Sequence, residues 1–211
     1  SFEIAAPRQK EATPVRPRSM RVLSGLMGKA WEGIELVAPQ ERWTRVDGRR
    51  IQGWFYEAPP RRGKPAPLVV EIHGGPATLY GVSQMWERQV LLARGESVYA
   101  CNPRGSTGYG QELASANYRD RGHGPQADLE AGLDKLAKAG RVDPHRVGVT
   151  GGSYGGYLTA WMLSHSDRYA AAVACRGVYD MSAEMTSGDL GGPNFGHYEL
   201  DAQPWTDPQL Y

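Results

Sequence analysis

The segment Gly151-Gly152-Ser153-Tyr154-Gly155-Gly156-Tyr157 constrains this chain more than any other. It follows an apolar run, Val147-Gly148-Val149, and opens a helical pattern from Tyr154 to His165. A G-x-S-x-G sequence between a strand and a helix predicts a sharp turn that lifts the serine hydroxyl clear of a sheet. The small residues Gly151, Gly155 and Gly156 let the helix pack tightly against neighbouring strands. The helix N-terminus brings free backbone N–H groups and the positive dipole end to the same point. Ser153 is therefore the candidate nucleophile. The Tyr154 N–H is a candidate donor to an oxyanion.

The surrounding pattern fits an α/β architecture. Trp43–Val46 and Ile51–Tyr56 flank Asp47-Gly48, a strong hairpin signal. Leu68–Ile72 reads as a parallel strand covered on both faces. Val98–Cys101, Val147–Val149 and Ala171–Cys175 read as further strands. Helices are expected over Met85–Ala93, Gln126–Ala139 and Tyr154–His165, with Leu129, Leu133 and Leu136 on one face of the second and Leu158, Trp161 and Met162 buried by the third. Strands alternating with helices imply βαβ units and a mainly parallel sheet. Residues 1–38 differ: prolines alternate with Arg and Lys and apolar periodicity is weak, as in a linker or the remnant of a preceding domain. From Ser187 to Tyr211 the chain is polar, rich in Gly and Pro, and aperiodic.

Composition narrows the partners. A net charge of +1 gives no electrostatic reason for nucleic-acid or membrane binding. No apolar stretch approaches the roughly 20 residues of a membrane span. Cys101 and Cys175, the 2 cysteines, each lie in a strand-like run and read as buried thiols rather than a disulfide framework. No Cys/His spacing suggests a metal site. Gly105–Gly110 does not match a dinucleotide fingerprint, so no cofactor is expected. A homo-oligomer stays open. The sequence fixes no compartment, a cytoplasmic one being favoured.

Two further loops belong with the elbow. His73-Gly74-Gly75-Pro76 follows the Leu68–Ile72 strand, where an HGGG-like loop supplies the second oxyanion donor; the Gly75 N–H is the candidate. His73 precedes the serine, against the order Ser, acid, His, and reads as structural. Asn102-Pro103-Arg104-Gly105-Ser106-Thr107-Gly108-Tyr109-Gly110 follows the next strand, on the ligand side of an open sheet. Arg104 there either holds a substrate carboxylate or carbonyl, or braces the loop through a buried ion pair.

These three motifs, at these spacings, resemble the prolyl oligopeptidase family of serine peptidases. Residues 151–180 look most like its acylaminoacyl-peptidase branch, and the hairpin looks like the entry of its hydrolase domain. The resemblance covers about residues 40 to 211. It implies an α/β-hydrolase fold, a mainly parallel sheet with helices on both faces. Residues 39–211 would be the N-terminal portion of the peptidase domain, and 1–38 the linker or the remnant of a β-propeller. It implies a peptide substrate, Ser153 as nucleophile, and the Gly75 and Tyr154 N–H groups as oxyanion hole. It also implies two further βα units carrying the triad Asp and His, which are expected beyond Tyr211, leaving this segment alone inactive. Asp180 or Asp189 with His197 keeps the right order, but no strand-like run separates Asp180 from His197. His123, His145 and His165 read as surface or structural. An esterase on the same fold, or a non-catalytic binding module, remains an alternative at this point.

Overall fold

The structure, a computed structural model, describes residue 25 and residues 28–60, 63–83, 85–189 and 199–211. The chain divides into two units, Ser1–Glu35 and Leu36–Tyr211. The described part of the first contains one short helix, α1 (Gly28–Trp31), with no buried residue.

The second unit is built on a six-stranded sheet of order β1-β2-β4-β3-β5-β6. Its strands are β1 (Gln40–Val46), β2 (Arg49–Tyr56), β3 (Ala66–Ile72), β4 (Ser97–Cys101), β5 (Val142–Gly152) and β6 (Ala171–Cys175). β1 and β2 form the expected hairpin, with Val46 opposite Arg49. Asp47 and Gly48 take φ of 50° and 78°, the two left-handed positions of a type I′ turn. β2 joins β4 antiparallel, whereas β4, β3, β5 and β6 run parallel to one another.

Helices cover both faces. α2 (Trp86–Arg94) packs on β4, ending at Gly95 with φ 89°. Its Leu92 joins Trp54, Tyr56, Ala66 and Val98 in one core. α4 (His123–Lys138) and α5 (Tyr154–His165) lie on the other face. There Leu129, Leu133, Leu136, Leu158 and Met162 pack with Phe55, Leu68, Val70, Ile72 and Tyr99 in the larger core. The short α3 (Gln111–Ala114) and α6 (Met181–Ser187) lie in the connections.

Several details depart from the expectations. β5 spans Val142–Gly152, well beyond Val147–Val149, because its ends pair with β3 and β6, and Trp161 is half-buried rather than buried. α4 begins at His123, not Gln126. Pro125 is tolerated within its first turn, and the Asp120 carboxylate accepts from the Gly122 and Gly124 N–H groups at 3.3 and 2.8 Å. β3 is not covered equally on its two faces: burial alternates along it, with Val69 and Glu71 half-buried beside α2. That face borders a cavity of about 840 Å³ running from α2 across β3 and β5 to β6. Cys175 is exposed, while Cys101 is buried as expected. The cause is position: β6 pairs only with β5 among the described strands, so an apolar run there is not enclosed.

Candidate active site

The sharp turn forms where expected. β5 ends at Gly152, α5 starts at Tyr154, and Ser153 between them has φ 59° and ψ −123°. A non-glycine residue held in so sparsely populated a conformation costs on the order of 1–3 kcal/mol and persists only where its surroundings over-determine it. The surroundings do so here. The Ser153 N–H donates to the Cys175 carbonyl at 3.1 Å, and the Ser153 carbonyl accepts from the Tyr157 N–H at 3.0 Å, opening the helix. A Cβ on Gly151 would lie 2.6 Å from the Gly155 carbonyl oxygen. One on Gly155 would overlap the Ile72 carbonyl, and one on Gly156 the Cys175 carbonyl. The glycines thus permit backbone-to-backbone contact on both sides of the serine.

Ser153 is half-buried, and its Oγ hydrogen-bonds no described residue. The His73–Pro76 loop comes directly against it. A Cβ on Gly74 would sit 3.4 Å from Ser153 Cβ and 3.9 Å from its Oγ. Gly75 follows with φ 111°, a conformation that a side chain would strain. Tyr154 is fixed from behind: its hydroxyl donates to the Arg121 carbonyl at 2.8 Å, and the Arg121 guanidinium lies 5.1 Å from its ring centre. Its main-chain N–H belongs to the first turn of α5, whose N–H groups find no partner inside the helix.

The His73 loop is latched to the Asn102–Gly110 loop at three points. Asn102 Oδ1 accepts from the Tyr80 N–H at 2.7 Å, and its Nδ2 donates to the Tyr80 carbonyl at 2.9 Å. The Thr107 N–H donates to the Thr78 carbonyl at 3.0 Å. His73 Nε2 lies 3.0 Å from Ser106 Oγ. Its Nδ1 must carry a proton, since it lies 2.6 Å from the Gly74 carbonyl, which can only accept. Burial, the largest influence, lowers the His73 pKa despite the opposing Gly74 bond and the nearby Glu71. A neutral His73 then accepts from Ser106, which makes it a structural latch.

Arg104 braces its own loop. The buried Asp128 carboxylate accepts from the Arg104 N–H, Nε and Nη2 at 2.7–2.9 Å, and Asp47 adds a contact at 2.8 Å. That satisfied ion pair is the bracing role, not substrate binding. Behind the His73 loop, buried Arg88 donates to Glu71 at 2.6 Å and to the Tyr56 hydroxyl at 3.1 Å, while the Tyr80 hydroxyl donates to Glu71 at 2.8 Å.

No described histidine hydrogen-bonds Ser153. His123 and His165 cluster with Trp161, and His145 lies in an exposed stretch of β5. Asp180 caps α6, accepting from the Ala183 N–H at 2.8 Å. Asp189 is exposed, and His197 lies outside the described residues. No group of three potential metal ligands occurs among the described residues.

A serine on a strained strand-to-helix bend, with the Gly74 backbone packed against its side chain at the end of a parallel strand, suits attack on a carbonyl. The model of the prolyl oligopeptidase family matches residues 82–211. The chain belongs to that family. It is 38% identical over 172 residues to the uncharacterized peptidase YuxL of Bacillus subtilis, covering 80% of this chain and 26% of that protein. It is 28% identical over 187 residues to dipeptidyl-peptidase 5 of Schizosaccharomyces pombe, covering 85% of this chain and 27% of the relative. Among solved structures, the acylaminoacyl peptidase of Pyrococcus horikoshii superposes with a TM-score of 0.83 at 27% identity, over 88% of this chain and 30% of that one. The chain therefore spans 26–30% of these relatives. The fold is the α/β-hydrolase fold of such peptidases.

One residue that holds the loop beside Ser153 was not singled out in the sequence: Asn102 was visible only as part of a loop, because its partner Tyr80 lies 22 residues away.

Proposed function

We propose that the protein carrying this sequence is a serine peptidase that hydrolyses short peptides, of the acylaminoacyl-peptidase or dipeptidyl-peptidase kind, through an acyl-enzyme on Ser153. Ser153 Oγ attacks the scissile carbonyl, and the Gly75 and Tyr154 N–H groups receive the negative charge that develops. A histidine takes the serine proton and returns it to the leaving amine, oriented by an aspartate. We assign both partners to residues outside this sequence on the family resemblance; among the described residues no carboxylate–histidine pair reaches Ser153. Residues 39–211 are then the N-terminal portion of the catalytic domain, and 1–38 a linker or the remnant of a preceding β-propeller. The observation that carries this reading is the strained Ser153 conformation, φ 59° and ψ −123°, with Gly74 packed on its side chain.

The test is labelling of the protein carrying this sequence with a fluorophosphonate, together with hydrolysis of acyl-amino-acid anilides. Wild type should label and turn over, and Ser153→Ala should do neither. Equal labelling of the two proteins would end the proposal.

A further inference from the structure

Arg176 follows β6 directly and has φ 45°, in the left-handed region that disfavours a side chain. It is clamped there from both sides. The Cys175 carbonyl before it accepts the Ser153 N–H. After it, a Cβ on Gly177 would lie 2.5 Å from the Tyr157 nitrogen and 2.8 Å from the Gly156 carbonyl carbon. The residue is thus bolted to the elbow through its two neighbours.

The bend turns the guanidinium back over Gly152. A Cβ on Gly152 would meet Arg176 Nη1, Cζ and Nη2 at 2.5, 2.7 and 2.8 Å. The head group lies beside the residue that precedes Ser153, and the absence of a side chain at 152 is what admits it. Arg176 is exposed and joins none of the ion pairs formed among the described residues. The buried arginines Arg88 and Arg104 are already committed, Arg88 to Glu71 and Arg104 to Asp128 and Asp47. Arg176 lines one end of the 840 Å³ cavity with Gly74, Gly152 and Cys175. The acidic groups lining that cavity are Glu71, already bonded to Arg88 and Tyr80, and Glu87 of α2.

We propose that Arg176 is a specificity residue that binds a substrate carboxylate within one residue of the scissile bond. This rests on Ser153 being the nucleophile. A guanidinium receives a carboxylate through two parallel N–H donors, and that charged, bidentate pairing is stronger than a neutral hydrogen bond. A carboxylate at that place has two sources. It is the acidic side chain of the residue whose carbonyl is attacked, or the free α-carboxylate of a single-residue leaving group. The covalent step is the same for both: the Ser153 Oγ–carbon bond forms, the carbon–nitrogen bond breaks, and the amine leaves with a proton. Arg176 stays charged throughout and contributes binding alone.

The experiment compares kcat/KM of the protein carrying this sequence on matched pairs: acyl-Glu against acyl-Gln anilide, and an acyl-dipeptide acid against its amide. Wild type should prefer the carboxylate member in at least one pair, and the preferring pair identifies the source. In Arg176→Gln the preference should shrink about 10- to 100-fold, and Arg176→Lys should keep part of it. Arg176→Glu should turn the preference towards acyl-Lys anilide. Fluorophosphonate labelling of every variant reports the elbow separately. Labelling without any carboxylate preference in wild type, or a preference unchanged in Arg176→Gln, overturns the inference while leaving the peptidase reading intact. Absence of labelling in wild type overturns both.

Discussion

His73 Nε2 and Ser106 Oγ, 3.0 Å apart and both buried, join the loop beside Ser153 to the loop that follows β4. The bond needs a neutral imidazole to accept it, and burial lowers the His73 pKa below its ordinary 6.5. The sign follows from proton counting. Between the folded and unfolded values the unfolded chain binds more protons, so stability rises with pH. The contribution is full above about 6.5 and is lost as pH falls through the lower folded value. The melting temperature should therefore drop between about pH 7.5 and pH 5.5. His73→Gln should melt lower at pH 7.5 but with a shallower pH slope. Identical slopes in the two proteins would show that His73 is not the group responsible.

Legibility varied along the chain for physical reasons. The elbow, the Asp47-Gly48 turn and the limits of α5 and β6 were readable because each is set by local backbone chemistry or by its own apolar pattern. The start of α4 was not, because Asp120 supports a helical turn upstream of Pro125. The exposure of Cys175 was not, because an apolar run does not reveal whether its strand is central or at an edge. α6 was missed although Asp180 is an ordinary N-cap residue followed by Met-Ser-Ala-Glu. The brace from Arg104 to Asp128 was foreseen as a type of interaction, but its partner, 24 residues on, was not. Site residues held by long-range contacts stayed hidden for the same reason.

Gly155 and Gly148 make opposite demands on space. A Cβ on Gly155 would overlap the Ile72 carbonyl oxygen and lie 3.0 Å from that of His73, both main-chain atoms of the strand and loop that face Ser153. On Gly148 the nearest atom would be 3.6 Å away, an ordinary contact. Gly155→Ala should cost about 1–3 kcal/mol in urea denaturation and slow fluorophosphonate labelling of Ser153, because the elbow must shift. Gly148→Ala should stay within about 0.5 kcal/mol of wild type. Equal behaviour of the two variants would mean that the helix is not seated on the β3 backbone as described.

Asn102 satisfies both main-chain groups of Tyr80 and donates to the Tyr109 hydroxyl at 2.6 Å, so one side chain fixes the far end of the loop that carries Gly75. Asn102→Ala removes both Tyr80 bonds, and each part-buried group left unsatisfied costs about 1–3 kcal/mol. If Gly75 is the oxyanion donor proposed above, its N–H then loses its fixed aim, and a misplaced oxyanion donor weakens the transition state more than the bound substrate. In the protein carrying this sequence, kcat on an acyl-amino-acid anilide should fall about 10- to 100-fold with KM nearly unchanged. Asn102→Asp keeps the acceptor for the Tyr80 N–H but loses both donated bonds, so its kcat should lie between the two. A rise in KM at constant kcat would instead place Asn102 in substrate binding and leave the oxyanion loop without its proposed anchor.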